Sequence, residues 1–228
     1  VTVEPLSNGV DLSKFGPGKV PQRIYKKFRL PKDKPIVLYV GRVDPEKSIS
    51  NVVTAFAGVL DEVPEAVLAI VGDGTDRRHL MELTQALGIE KSVRFLGRVY
   101  PPEIMDIYRA GTLFATASET ETQGIVLIEA AATGLPLVAV DAGAVRELCQ
   151  HKKNGILCHP GEIEEMTDAM VKILKNDDVR KKYGECSITV AKQHDLNRTL
   201  RRFTEIYEEA IELKGKKVQK KRKWFSLG

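Results

Sequence analysis

The chain has 228 residues, of which 43% are hydrophobic and 29% charged, enough for one large domain with a sizeable core. Its net charge of +4 is unevenly placed: residues 214–228 hold seven Lys and Arg and no acid, and without them 28 basic groups face 31 acidic ones. This mildly acidic body argues against a nucleic-acid-binding surface spread over it, and no run of roughly eighteen apolar residues is present to span a bilayer.

The three cysteines, Cys149, Cys158 and Cys186, form no Cys-x-x-Cys pair, and their odd number argues against a disulfide framework or a structural zinc site. They read as small buried hydrophobes in a reducing, cytoplasmic compartment. The four histidines show no metal-ligand spacing, so no metal or other cofactor is expected. The first residues, Val-Thr-Val-Glu-Pro, are not a signal peptide, and the lack of an initiator Met is read as the mark of a fragment or processed chain.

Residues 14–34 are rich in Lys, Pro and Gly and weakly periodic, so a surface connection is expected there. Ile36–Gly41 predicts a buried strand, and Ser48–Glu62 a helix with Ile49, Val52, Val53, Phe56, Val59 and Leu60 on one face. Ala66–Gly72 predicts a second strand, Asp73-Gly74-Thr75 a turn, and Thr75–Leu87 a helix. A strand at Val93–Gly97, a helix at Pro101–Ala110 and a strand at Leu113–Ala117 follow. Next come a helix over 124–134, a strand at Leu137–Val140, a short helix at Ala144–Cys149 and an edge strand at Gly155–Cys158. Helices over 161–175, 178–192 and 195–213 close the chain. Continuous apolar strands alternating with helices predict an α/β fold with a doubly wound, Rossmann-like parallel sheet. Ligands of such sheets bind beyond the carboxyl ends of the strands.

The candidate motifs sit at those ends. Glu121-Thr-Gln-Gly124-Ile125-Val126-Leu-Ile-Glu129 places two carboxylates around a Gly-opened apolar run. A helix start near Gly124 offers unpaired N–H groups and a positive dipole end, which suit phosphate. An ionised carboxylate accepts hydrogen bonds only, which suits hydroxyls. Phosphate beside hydroxyls describes a nucleotide sugar; the other reading is a plain helix cap with Glu129 solvated. Arg42 and Lys47, in Gly41-Arg42-Val-Asp-Pro-Glu-Lys47, either neutralise a diphosphate or pair with Asp44 and Glu46. No Gly-x-Gly-x-x-Gly or Gly-Lys-Ser/Thr follows this strand, so dinucleotide and P-loop readings lose support.

Together, Asn8-Gly9-Val10-Asp11 with Phe15, Gly41-Arg42-x4-Lys47, Val71-Gly72-Asp73-Gly74, Phe95-Leu96-Gly97, Glu121-x7-Glu129 and Gly134-x-Pro136 resemble family 4 of the retaining glycosyltransferases. The likeness runs to about residue 213. It implies a GT-B fold, of which residues 1–213 are the C-terminal, donor-binding half and residues 214–228 a basic, disordered tail. It gives Arg42 and Lys47 the donor diphosphate, Glu121 the hydroxyls of the transferred sugar, and Gly124, Ile125 and Val126 N–H groups the sugar and phosphate oxygens. Glu129 receives the ribose hydroxyls, and the loop at Arg98 and Val99 the base. Of the catalytic residues the likeness implies, Arg42, Lys47 and Glu121, the two cations stabilise the departing diphosphate while Glu121 holds the transferred sugar. The resemblance implies retention at the anomeric carbon, transfer of a hexose and no bound metal. An N-terminal acceptor domain, present in the family, is missing from this chain, so residues 1–228 are expected to bind nucleotide sugar weakly and transfer nothing.

Gln123 makes the signature Thr-Glu-Thr-Gln-Gly, a form resembling glycosyltransferases that act on diacylglycerols with a UDP-sugar. A lipid or glycan acceptor is therefore expected, in glycolipid or polysaccharide biosynthesis. The basic tail with Trp224-Phe225 is either a solvated terminus or a peripheral contact with the inner face of the membrane. Two competing functions remain: a non-hydrolysing nucleotide-sugar epimerase and a non-catalytic nucleotide-sugar-binding module.

Overall fold

The structure, a computed structural model, describes Leu6 and residues 8–225, with side chains through Lys214. Its centre is one six-stranded sheet of β1 (Ile36–Val40), β2 (Val67–Val71), β3 (Val93–Gly97), β4 (Leu113–Thr116), β5 (Leu137–Val140) and β6 (Gly155–Cys158). The strand order is β3-β2-β1-β4-β5-β6, and every neighbouring pair is parallel. The chain runs outward from β1 to β3, then returns to place β4 on the other side of β1. That reversal between β1 and β4 is the position where a doubly wound sheet opens a crevice at its strand ends.

Both faces of the sheet are covered. Val37, Tyr39, Leu68, Ile70, Leu113 and Val138 pack beneath α2 (Ile49–Glu62), α3 (Arg77–Ala86) and α7 (Ile163–Lys175). Their strand neighbours Ile36, Leu38, Ala69, Phe114, Leu137 and Ala139 face the opposite way, toward α4 (Glu103–Ala110), α5 (Ile125–Ala132) and α6 (Val145–Leu148). Period-two alternation sends successive residues to opposite faces, so a strand covered on both sides is apolar throughout. In α2, Ile49, Val52, Val53, Phe56 and Val59 are all buried at helical spacing. Phe56 is fully buried, and truncating it to Ala costs about 3–5 kcal/mol by the usual range for core aromatics. On the far side, α8 (Asp177–Ala191) packs against α5, its start capped by the Asn176 side chain accepting from the Val179 N–H at 2.9 Å.

Two expectations are corrected. The surface connection predicted over 14–34 contains α1 (Gln22–Phe28), and its Ile24 is fully buried. Ile24, Phe28 and Leu30 line the second core, while Arg23, Lys26 and Lys27 dilute the apolar period that would have announced a helix. The last helix, predicted to stop at 213, continues as α9 (Leu196–Phe225). Lys-rich sequence carries no Gly or Pro stop there except Gly215, so nothing strong ends the helix. The tail's basic side chains beyond Lys214, with Trp224 and Phe225, lie outside the described side chains. On α9, Leu200, Phe203, Tyr207 and Ile211 are exposed at spacings of one helical turn, an apolar stripe that no described residue covers.

Candidate functional site

The carboxyl ends of all six strands lie on one edge of the sheet, and the turns after β1, β2 and β3 are fastened together there. Gly41 N–H donates to the Val71 carbonyl at 3.0 Å, Val43 N–H to Asp73 at 3.1 Å, and Gly72 N–H to Gly97 at 2.8 Å. Gly72 has φ 132°, and a Cβ on it would overlap the Gly41 carbonyl oxygen, so only glycine lets these turns approach. Asp44 completes the clamp: its Oδ1 accepts from the Thr75 N–H at 2.9 Å and the Thr75 hydroxyl at 3.1 Å. Those bonds, the backbone one foremost, hold the Asp44 carboxyl below its ordinary range.

Arg42 follows Gly41 and lies two-thirds exposed at the rim. Its guanidinium pairs with Asp44 at 2.8 Å and Glu46 at 2.6 Å, the second of the two alternatives anticipated for it. Its carbonyl accepts from the Tyr39 hydroxyl at 2.8 Å. Burial, and next the Glu121 carboxylate, push the Tyr39 phenol far above its ordinary value, so it stays a neutral donor.

Lys47 behaves differently. A short 3-10 turn, Pro45–Lys47, and a left-handed Ser48 direct it away from the local acids and across to the loop after β4. Its Nζ lies 3.0 Å from Glu121 Oε2 and 3.5 Å from Ser118 Oγ. The two side chains are only 16% and 20% exposed. This pair spans the β1/β4 reversal.

Glu121 is also tied to the helix start behind it. Its Oε1 accepts from Gly124 N–H at 3.2 Å, and its carbonyl accepts from Ala144 N–H at 3.2 Å. Gly124 N–H was expected to hold sugar or phosphate oxygens; here the preceding carboxylate takes it, because Gly124 in the left-handed region (φ 60°) turns the chain so that Glu121 folds back over its own helix. Ile125 and Val126, the first residues of α5, keep N–H groups for which a helix supplies no acceptor.

Glu129 sits one and a half turns further on, half-buried, and its Oε2 accepts from the Tyr108 hydroxyl at 2.7 Å. Burial raises the Glu129 carboxyl above its ordinary value, and the Tyr108 bond partly offsets this. Arg98 and Val99 lie after β3, at the outer edge strand: Arg98 is exposed and Val99 packs on the second core. Among the described residues no hydrogen bond or ion pair joins Arg98 to Arg42, Lys47, Glu121 or Glu129. Tyr39, Tyr108 and Ser118 were not anticipated from sequence, nor was the bond from Asp44 to Thr75; the three side chains reach the site only through tertiary packing, and their apolar or turn-like contexts give no local signal.

A second hollow, of about 840 Å³, adjoins the same loop between Gln123, Glu147, His194, Arg198 and Arg202. No group of three or more His, Cys, Asp or Glu side chains is arranged to hold a metal ion among the described residues. Cys149, Cys158 and Cys186 are all free thiols. No described helix is long and apolar enough to cross a membrane. Chemically, the β1/β4 crevice offers a fixed cation at Lys47, a rim cation at Arg42, orphan N–H groups at a helix start and two carboxylates able to accept from hydroxyls.

Residues 21–189 match the family of glycosyl transferases group 1. The sulfoquinovosyl transferase SQD2 of Arabidopsis thaliana is 31% identical over 195 residues, 83% of this chain and 36% of that protein. Anabaena Alr3699/HepE, solved in complex with UDP-glucose, matches 90% of this chain and 57% of its own with a TM-score of 0.78 and 25% identity. The C-terminal domain of a glycosyl transferase group 1 protein (LpcC) from Francisella tularensis matches over 97% of its length and 81% of this chain, TM-score 0.72; at 23% identity this shows the fold alone. The chain spans about half the length of most of the curated relatives it matches, for example 52% and 50% of two D-inositol 3-phosphate glycosyltransferases from Corynebacterium.

Proposed function

The chain belongs to the glycosyl transferases group 1 family, with the α/β architecture of GT-B enzymes, and on that premise we propose that it binds the nucleotide-sugar donor of a retaining hexosyltransferase. The observation that carries this reading is the meeting of Lys47 and Glu121 at 3.0 Å across the β1/β4 reversal, in front of the α5 N-terminus. Lys47 and Arg42 receive the diphosphate, and Ile125 and Val126 N–H groups its oxygens or those of the sugar. Glu121, already aimed by two donors, accepts from sugar hydroxyls; Glu129 accepts from the ribose; the backbone at Arg98 and Val99 meets the base.

Breaking the sugar–phosphate bond leaves negative charge on the diphosphate and positive character on the sugar. Lys47 is held where that negative charge develops, and preorganised charge in a half-excluded site is worth several kcal/mol. Glu121 beside it places a carboxylate near the oxocarbenium-like carbon. The reaction so described requires no general base and no metal from this chain. A UDP-sugar is favoured because the HepE structure, 25% identical here, was solved with UDP-glucose. GDP- and ADP-sugars are the competing arms: a thermal-shift and calorimetric series over the three nucleotides and their sugars should show one selective binder, since a ligand that binds only the folded state raises its melting point. Unchanged UDP-sugar affinity in Glu129→Ala would overturn the site.

The acceptor reading is that the rest of a longer polypeptide supplies the acceptor wall. The chain's share of its relatives' length and the uncovered stripe of Leu200, Phe203, Tyr207 and Ile211 both support a further domain packed against α9. Residues 1–228 alone then bind donor and transfer nothing; sugar transfer by the purified chain would refute this. A lipid acceptor is favoured by the Thr-Glu-Thr-Gln-Gly signature. Ahead of Lys214, α9 carries Glu205, Glu208, Glu209 and Glu212 against three arginines, so any contact with an anionic membrane begins at the Lys-rich end. Vesicle cosedimentation with and without residues 214–228 tests it, and equal binding would exclude the tail.

A further inference from the structure

Tyr108 is completely buried, yet carries a hydroxyl that needs a partner. Glu129 supplies that partner at 2.7 Å. The phenol cannot swing away. Phe15 stands edge-on to its ring at 5.9 Å and 73°, and Phe114 lies against it at 6.4 Å. The next residue, Arg109, pins α4 to the segment before α1, donating to the Gly16 carbonyl at 2.8 Å and the Lys14 carbonyl at 3.1 Å. Arg109 also bonds Asp106 on its own helix at 3.0 Å. Glu129, by contrast, is a long, half-buried side chain on α5, and unanchored it would spread over more than one rotamer.

A carboxylate has two oxygens and about four acceptor positions. Tyr108 occupies one position on Oε2 and fixes the plane of the group, leaving Oε1 and the remaining position on Oε2 for a ligand. Two adjacent hydroxyls of a cis-diol match that residual geometry. We infer that Tyr108 is a positioning residue which, from behind the site, aims the Glu129 carboxylate at the paired 2′- and 3′-hydroxyls of the donor's ribose and so sets discrimination for ribonucleotides. This inference rests on the donor-site reading above. Tyr108 never touches the nucleotide; it acts through Glu129.

The test uses the chain itself, with UDP and 2′,3′-dideoxy-UDP as probes in calorimetric titrations of the wild type, Tyr108→Phe and Glu129→Ala. Removing one oxygen keeps the ring and its packing, and a thermal scan confirms folding of each variant. Tyr108→Phe is expected to reduce the preference for UDP over the dideoxy compound by about three- to tenfold, the usual scale for freeing one ordered side chain. Its affinity for the dideoxy compound should stay within about twofold of wild type, because the diphosphate and base contacts are intact. Equal losses for both probes would make Tyr108 merely structural and overturn the inference. A preference that survives in Tyr108→Phe but vanishes in Glu129→Ala overturns the positioning role and leaves the ribose reading standing. A preference that survives in Glu129→Ala, or no nucleotide binding by any of the three, brings down both.

Discussion

Lys47 and Glu121 come from loops 74 positions apart and meet with Nζ 3.0 Å from Oε2 at the one place where the sheet reverses direction. Both side chains are more than three-quarters covered, so solvent screens the pair less than a surface bridge. Lys47 is thus held in place by a carboxylate, and on the proposed donor reading a diphosphate would meet a cation already oriented.

Lys47→Ala removes the positioned cation. A charge-assisted contact to phosphate is worth about 1.5–3 kcal/mol, so UDP affinity should fall about ten- to a hundredfold. Uridine, which lacks the diphosphate, should bind the variant as it binds the wild type. Calorimetry for UDP and an NMR titration for uridine check this; a parallel loss for uridine would show that Lys47 shapes the loop rather than the phosphate site.

Gly72, after β2, and Gly124, at the start of α5, should differ in their tolerance of a methyl group. In Gly72→Ala the new Cβ meets the Gly41 carbonyl oxygen, a backbone atom fixed by the Gly41–Val71 bond. In Gly124→Ala it meets the tips of Leu148 and Leu127, which have rotamers available. Both also place alanine at a positive φ, which costs about 1 kcal/mol or more. Gly72→Ala should therefore be the more destabilising, by about 2 kcal/mol or more, with the melting temperature falling about 2–4 °C per kcal/mol in a chain of this size. Thermal unfolding of the two variants side by side decides the order.

Burial raises the Glu129 carboxyl above its ordinary value, with Tyr108 opposing. A protonated carboxyl no longer offers both oxygens as acceptors to a diol. Preference for UDP over 2′,3′-dideoxy-UDP should therefore decline on acidification from a pH above the ordinary glutamate range; phosphate ionisation cancels between the two probes. The stability effect has the opposite sign. A carboxyl with a raised folded value contributes stability that is present below its unfolded value and lost as pH rises through the folded one. Glu129→Gln should accordingly raise the melting temperature at neutral pH, since it removes a partly desolvated charge, and should do so less at acid pH. A melting point unchanged at both pH values would contradict the burial effect.

The sheet was legible because strands covered on both faces are apolar without interruption: the predicted limits of β3, β5 and β6 match the observed ones, β1 and β4 end one residue early, and β2 is one residue shorter at each end. The helix α1 was not legible, since four Lys and Arg between residues 22 and 29 dilute its short apolar face. Motif spacing singled out Lys47 and Glu121, but only the strand order brings them together. Spacing says nothing of Tyr108, which reads as one more core aromatic until its hydroxyl is found against Glu129. Arg42 shows the converse: the residue was visible, but its engagement with Asp44 and Glu46 depends on a turn whose shape the sequence left open between two alternatives.

Asp44 and Glu46 play unequal parts. Asp44 also holds Thr75 and so maintains the turn, whereas Glu46 touches Arg42 through an exposed ion pair, and its carbonyl receives only a long bond of 3.5 Å from the Thr120 hydroxyl. A diphosphate bound by Arg42 competes with the Glu46 carboxylate for the same guanidinium. Exposed pairs of this kind are worth about 0–1 kcal/mol, so Glu46→Ala should strengthen UDP binding by up to about fivefold. The gain should shrink at high salt, where the pair is already screened. Asp44→Ala should weaken UDP binding instead, because the freed turn no longer presents Arg42. Calorimetric UDP titrations of both variants at low and high salt would show the opposite signs. Weaker binding in Glu46→Ala would mean that Glu46 holds Arg42 in its binding pose rather than competing for it.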